Sequence, residues 1–275
     1  MIPMTNPPLL TDRPALLRNR GRASEFFLQQ TVADEIHERL IEVNRSFTDK
    51  AVVTGFEPFW RGQFPDATIA QDQDILDLPA NSFDLVIHAM SLHWANDPIG
   101  QMVQCRHALR PDGLFFGVFF GGQTLHELRT VLAEAESRVT GGLSPRIAPM
   151  GEIRDLGSLL QRAGFALPVA DSIPLNVSYP DPFALMRELR AMGEGNALNS
   201  RLKTPTKKAV FAEATRLYQD HFGDADGRIP ATFEVIVLTG WSPDESQQKP
   251  LRPGSAKQSL ADALGSTEFK LPKDN

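Results

Sequence analysis

Two near-continuous apolar runs, separated by one helix-length segment, constrain this chain most. Phe83-Asp84-Leu85-Val86-Ile87-His88-Ala89 is the first and Leu114-Phe115-Phe116-Gly117-Val118-Phe119-Phe120 the second. Neither alternates with polar residues, so each reads as a strand buried on both faces, the mark of a sheet covered by helices on either side. Between them Asp97-Pro98 opens a helix, since proline suits the first helical turn. Met102, Cys105 and Leu109 then recur at helical spacing. Strand, helix, strand in this order is a parallel crossover unit.

The rest of the chain extends the alternation. Residues 1–11 are proline-rich and read as a loose arm, and helical periodicity runs from Pro14 to Phe47, with Ala33, Ile36, Leu40 and Val43 on one face. Ala51-Val52-Val53-Thr54 is a short buried strand and residues 67–71 are another. Residues 124–139 and 152–163 are helices, the second stopped by Gly164. Strands follow at 168–173 and 175–179, helices at 182–192 and 205–222, and a last strand at 232–239. The expected fold is α/β and Rossmann-like: a mostly parallel sheet closed by a reversed C-terminal strand.

Composition sets outer limits. The net charge of −6 disfavours partners held by phosphate, so no nucleic acid is expected. No apolar run approaches the roughly 20 residues that cross a bilayer, and an integral membrane protein is not expected. The first twelve residues carry no signal-peptide core, so a bacterial cytoplasmic location is the expectation. The single cysteine, Cys105, excludes a cysteine-rich metal site and reads as a small buried hydrophobe; no metal ligands are expected.

Chemistry is expected at the carboxyl ends of the strands, where open α/β sheets bind ligands. The first apolar run ends in small residues, Ala89 and Ser91, followed by His93, Trp94 and Asp97. These either line a site or, in the case of His93 and Trp94, plug the end of the sheet. Asp74-Ile75 precedes an apolar stretch and Pro79; the Asp74 carboxylate offers only acceptors, which suits an exocyclic amine such as that of adenine. The loop over residues 141–150 carries Arg146 where substrate contacts gather. After the first strand only Gly55 remains of a glycine-rich turn: Glu57, Pro58, Phe59 and Trp60 follow it. Too few residues separate this strand from Phe83 for the two strands and helices expected there, a complete crossover unit taking about 30 residues or more. The helix after the first strand is therefore shortened or absent, and Phe59 or Trp60 is expected to fill the space.

These motifs resemble the class I S-adenosylmethionine (SAM) methyltransferase superfamily in its type 11 branch. The resemblance rests on Asp74 to Pro79, Asn81-Ser82-Phe83-Asp84, Leu92-His93-Trp94-Ala95-Asn96-Asp97 and Leu109-Arg110-Pro111-Asp112-Gly113. Gly121-Gly122-Gln123-Thr124-Leu125, Gly141-Gly142-Leu143-Ser144-Pro145-Arg146, Met192-Gly193-Glu194 and Pro230-Ala231-Thr232-Phe233 narrow it to the complex I assembly factor 5 family. A more distant resemblance is to the malonyl-carrier-protein methyltransferases. The resemblance implies SAM as cofactor, with Gly55, Asp74, Ile75, Ala89 and Ser91 binding it and His93, Trp94, Asp97 and Arg146 lining the substrate site. It implies an iron–sulfur subunit of respiratory complex I as partner, and arginine hydroxylation as an alternative to methyl transfer. Against the family's Asp-x-Gly-x-Gly-x-Gly turn, Val53 stands at the acidic position and Glu57 and Phe59 at the second and third glycines. The ribose-binding acid after the second strand has no clear match.

Two readings follow. One is a SAM-dependent, methyltransferase-like enzyme acting on a protein substrate in complex I assembly, with its catalytic residue unassigned. The other is a non-catalytic, chaperone-like assembly factor on a degenerate methyltransferase fold that has lost SAM binding. The expected organisation is an N-terminal arm and helix over residues 1–47, a methyltransferase-like domain over 48–241 with a helical insertion at about 182–222, and a disordered tail over 242–275.

Overall fold

A computed structural model describes residues 9–248 and Gly265. Much of the expected arm and tail therefore lies outside the described residues. Two units are distinguished, Met1–Pro243 and Asp244–Asn275. In the second, the Asp244 carboxylate accepts from the Ser246 N–H and hydroxyl, closing a turn.

The first unit begins with two helices, α1 (Arg13–Arg20) and α2 (Phe27–Glu42). Asp12 caps α1 by accepting from the Ala15 N–H at 3.1 Å, with Pro14 in the first turn. Then come β1 (Lys50–Thr54), α3 (Glu57–Gln63), β2 (Thr68–Gln71) and β3 (Phe83–Ala89). A single 3-10 turn (Leu92–Trp94) leads to α4 (Pro98–Ala108) and β4 (Leu109–Phe120). The remainder is α5 (His126–Thr140), α6 (Ile153–Arg162), β5 (Ala166–Tyr179), α7 (Pro182–Ala191), α8 (Lys208–Phe222) and β6 (Ile229–Trp241).

The six strands form one sheet in the order β2-β1-β3-β4-β6-β5. The first four run parallel, and β6 lies antiparallel between β4 and β5. The two apolar runs are thus the centre of the sheet, and the reversed strand is the last one, as the sequence indicates. One core packs Leu85, Ile87 and Ala89 of β3 with α2, α5, α7 and α8; the other packs Val86 with Met102 and Cys105 of α4 and Leu156 and Leu160 of α6. Burial pushes the Cys105 thiol pKa up, consistent with a packed, unreactive side chain.

One detail differs from expectation. The two strands expected at 168–179 are one fourteen-residue strand, β5. Pro174 punctuates the sequence but not the strand, because an edge strand leaves one row of backbone groups needing no partner. Between β1 and β3 stand a seven-residue α3 and one further strand, β2, matching the shortened helix and the short strand at 67–71 read from the sequence. Gly164 does stop α6, at φ +85°.

Candidate functional site

The carboxyl ends of β1, β2 and β3 meet the last turn of α1. Thr54 of β1 pairs with Ala89 of β3, so the chain leaves both strands side by side. Met90 turns away in the left-handed region, at φ +47° and 1% exposed. A buried, non-glycine residue held there stores strain at a site. The turn sets the Ser91 hydroxyl to accept from the Gly55 N–H at 3.0 Å and to donate to the Ala89 carbonyl at 3.1 Å. Gly55, Ala89 and Ser91 are thereby brought together.

Arg20, the last residue of α1, lies directly on Gly55. A Cβ built on this glycine would stand 2.0 Å from Arg20 Nη1 and 2.4 Å from Cζ. The absence of a side chain at Gly55 is what admits the guanidinium. Arg20 Nη1 donates to Asp72 Oδ2 at 2.7 Å, and both side chains are 2% exposed. Arg13 of α1 donates two further bonds to the same carboxylate, both at 3.2 Å. The Arg20 guanidinium also stands 5.2 Å over the Phe56 ring. Burial alone would raise the Asp72 pKa, but the two arginines outweigh it and hold the carboxyl below its ordinary range. Arg20 Nε and Nη2 have no hydrogen-bond partner among the described residues.

Asp72 immediately follows β2. An acid thus does stand directly after the second strand, where the sequence offered no clear match. The aromatic residues expected to fill the space pack elsewhere: Phe59 stacks on Phe26, and Trp60 donates to Gln29 of α2 at 2.8 Å. Arg20 is the side chain that closes the approach to Gly55.

A second polar layer lies beside this pair. His88 is fully buried, with Nε2 2.7 Å from Gln101 Oε1; Gln101 in turn donates to the Gln73 carbonyl at 2.9 Å. That oxygen only accepts, so the neutral ring carries its proton on Nε2. Burial lowers the His88 pKa to about 4, more than the Gln101 bond raises it. His93 and Trp94 both face Glu194, in the segment after α7. Trp94 Nε1 donates to Glu194 Oε2 at 2.7 Å, and His93 Nε2 is 3.3 Å from the same oxygen. Burial opposes ionisation of Glu194, yet His93, Arg20 and Trp94 together lower its pKa. Glu194 Oε1 and both histidine Nδ1 atoms are buried without a hydrogen-bond partner among the described residues.

Of the other site residues read from the sequence, Asp74, Ile75 and Asp97 lie apart from this cluster. Asp74 and Ile75 are exposed, Ile75 at 82%, and the Asp74 carbonyl accepts from Gln104 of α4. Neither shares a hydrogen bond with Gly55, Ala89 or Ser91. Asp97 is exposed and caps α4 through the Gly100 N–H at 2.8 Å. Arg146 is held in a two-point contact by Glu136 of α5, at 3.0 and 2.7 Å, and donates to Thr206 at 3.0 Å. It also lines a cavity of about 400 Å³, together with Trp94, Phe120, Leu128, Phe211, Phe233 and Glu194. Among the described residues no group of three or more His, Cys, Asp or Glu is placed to hold a metal ion.

Among the members of the cluster that sequence reasoning passed over are Arg20, Asp72 and Glu194. Each carried a signal: Arg20 sits in the basic run Arg18-Asn19-Arg20-Gly21-Arg22, Asp72 is the first residue past a strand, and Glu194 belongs to one of the family-like motifs.

Residues 21–117 match a family model described as a methyltransferase domain. The chain is similar to "Arginine-hydroxylase NDUFAF5, mitochondrial" of Danio rerio, at 40% identity over 72% of this chain and 61% of the relative. It is also similar to the malonyl-[acyl-carrier protein] O-methyltransferase of Xylella fastidiosa, at 35% identity over 65% of this chain and 58% of the relative. The chain thus spans about three fifths of the length of these curated relatives. Among solved structures, the YcgJ protein from a Bacillus overlaps 75% of this chain and 97% of its own at 11% identity, with a TM-score of 0.46. By the family model matched over residues 21–117, the chain carries a methyltransferase-like domain.

Proposed function

We propose that this chain serves the assembly of respiratory complex I by engaging a protein partner, on a methyltransferase fold whose SAM cleft is closed by its own Arg20. The assembly role comes from the sequence resemblance to the complex I assembly factor 5 family. One observation carries the closed cleft: the buried Arg20–Asp72 ion pair lies on Gly55. A nucleotide-type cofactor needs backbone to approach it at that turn and an acid free to meet its ribose. Here a guanidinium covers the turn and the acid is shared by two arginines. Admitting SAM means separating a fully buried pair, which costs on the order of 3–5 kcal/mol. That weakens binding roughly 10²–10⁴-fold before any missing glycine is counted.

The residues present do not fit SAM as they stand. The partner reading is tested by capture: full-length chain should retain the complex I iron–sulfur subunit in a pull-down, with and without added SAM. Failure to retain it, with the chain folded by its melting curve, would refute the assembly role.

Protein arginine hydroxylation is a second reading, favoured by one observation. The cleft already holds a guanidinium, between a carboxylate and an aromatic face. In that reading a partner's arginine replaces Arg20. Methylguanidinium should then bind and restabilise an Arg20→Ala variant, while methylammonium should not; equal effects of the two would remove its support.

A further inference from the structure

The cavity beside the cleft has no part in the reading above. We propose that it is a binding site for an amphipathic monoanion, an alkyl chain ending in a carboxylate. Its size, about 400 Å³, falls in the range of small-ligand sites, roughly 300–1,000 Å³. Its walls are apolar side chains from several elements, among them Phe120, Leu128, Met186, Phe211 and Phe233. A pocket of this kind, with a few convergent polar groups, takes a ligand that is mostly hydrocarbon.

The charged groups in the lining fix the sign of the head group. Arg146 is neutralised by Glu136. Glu194 is held by Trp94 and His93 and lies in the field of Arg20. Two arginines remain, Arg22 and Arg190, both exposed and neither in an ion pair among the described residues. They stand as uncompensated positive charge on a chain whose net charge is −6. Arginine matches a carboxylate in two-point geometry, and the aliphatic parts of both side chains extend the apolar wall. A carboxylate meeting these two groups while its tail enters the cavity satisfies both features together.

Calorimetric titration of the full-length chain with decanoate, decanol and decylammonium at one ionic strength tests this. Decanoate should bind saturably at one per chain, about tenfold tighter than decanol, the effect expected of two partly exposed ion pairs. Decylammonium should bind no better than decanol. Octanoate should bind more weakly than decanoate by about fourfold for each methylene lost. The double variant Arg22→Ala/Arg190→Ala changes only exposed positions and should melt as the parent does; its affinity for decanoate should fall to that for decanol. Four results would overturn the proposal: no saturable decanoate binding, equal affinity for all three head groups, unchanged decanoate binding by the double variant, or a preference for decylammonium. The last would assign the free oxygen of Glu194 as the head-group acceptor.

Discussion

Replacing Asp72 by asparagine tests whether the cleft is closed by a dry ion pair. The substitution keeps the side chain's shape and removes its charge. Arg20, 2% exposed in its side chain, would then face a neutral amide at 2.7 Å, with Nε and Nη2 still unpartnered. Breaking one partner of a buried pair costs about 3–5 kcal/mol, because the remaining charge cannot reach water. The Arg13 contact is 22% exposed on the arginine side and adds on the order of 0.2–1 kcal/mol. Together these give about 4 kcal/mol. At roughly 2–4 °C per kcal/mol for a domain of this size, melting should fall by about 10 °C. Urea unfolding should show a lower midpoint at an unchanged slope. The paired variant Arg20→Met/Asp72→Leu should recover most of the loss, since apolar replacements of similar volume often match a buried pair. A loss below about 1 kcal/mol for Asp72→Asn would place the pair in contact with solvent and refute a closed cleft.

Other outcomes follow from the same geometry. Gly55→Ala puts a methyl group 2.0 Å from Arg20 Nη1, so it should cost about 1–3 kcal/mol, and the cost should vanish in an Arg20→Ala background; additive effects in that double-mutant cycle would separate the two residues. His88 titrates near 4 when folded and near 6.5 when unfolded, so the unfolded chain takes the proton first. Stability should be full above about pH 6.5 and fall by on the order of 3 kcal/mol as pH drops toward 4, and His88→Gln should flatten that slope in pH-dependent urea titrations. Asp72 and Glu194, both held below the ordinary carboxylate range, add a further loss only below about pH 4. Arg146→Ala leaves Glu136 with only Ser144, and should cost about 2 kcal/mol with faster amide exchange over residues 143–148; unchanged exchange would show that the Glu136 contact does not hold the loop.

The sheet was legible because its central strands are buried on both faces, and a run such as Phe83 to Ala89 has no other comfortable home. The edge was less so: β5 read as two strands because proline punctuation is local, whereas tolerance of it depends on lying at the sheet's margin. At the site, Gly55, Ala89 and Ser91 converge because strand ends in a parallel sheet share one edge. The pairing of Arg20 with Asp72 was not legible, since the two are 52 residues apart and neither local signal points to the other. Trp94 and Glu194 are 100 residues apart and meet only through the fold. Asp74 drew attention through its neighbours Ile75, Leu76 and Pro79, yet the buried carboxylate is the one two residues earlier, at the strand's actual end. Local pattern places strands well; it does not say which charged residue will be buried by a distant partner.

Calorimetric titration of the purified full-length chain with SAM tests the central claim most directly. With Arg20 on Gly55 and Asp72 bound to two arginines, no saturable heat should appear below millimolar SAM, and the melting temperature should not move with added cofactor. A micromolar Kd for SAM, lost on Asp72→Asn or Asp74→Ala, would show that the cleft opens to its cofactor and would contradict the account.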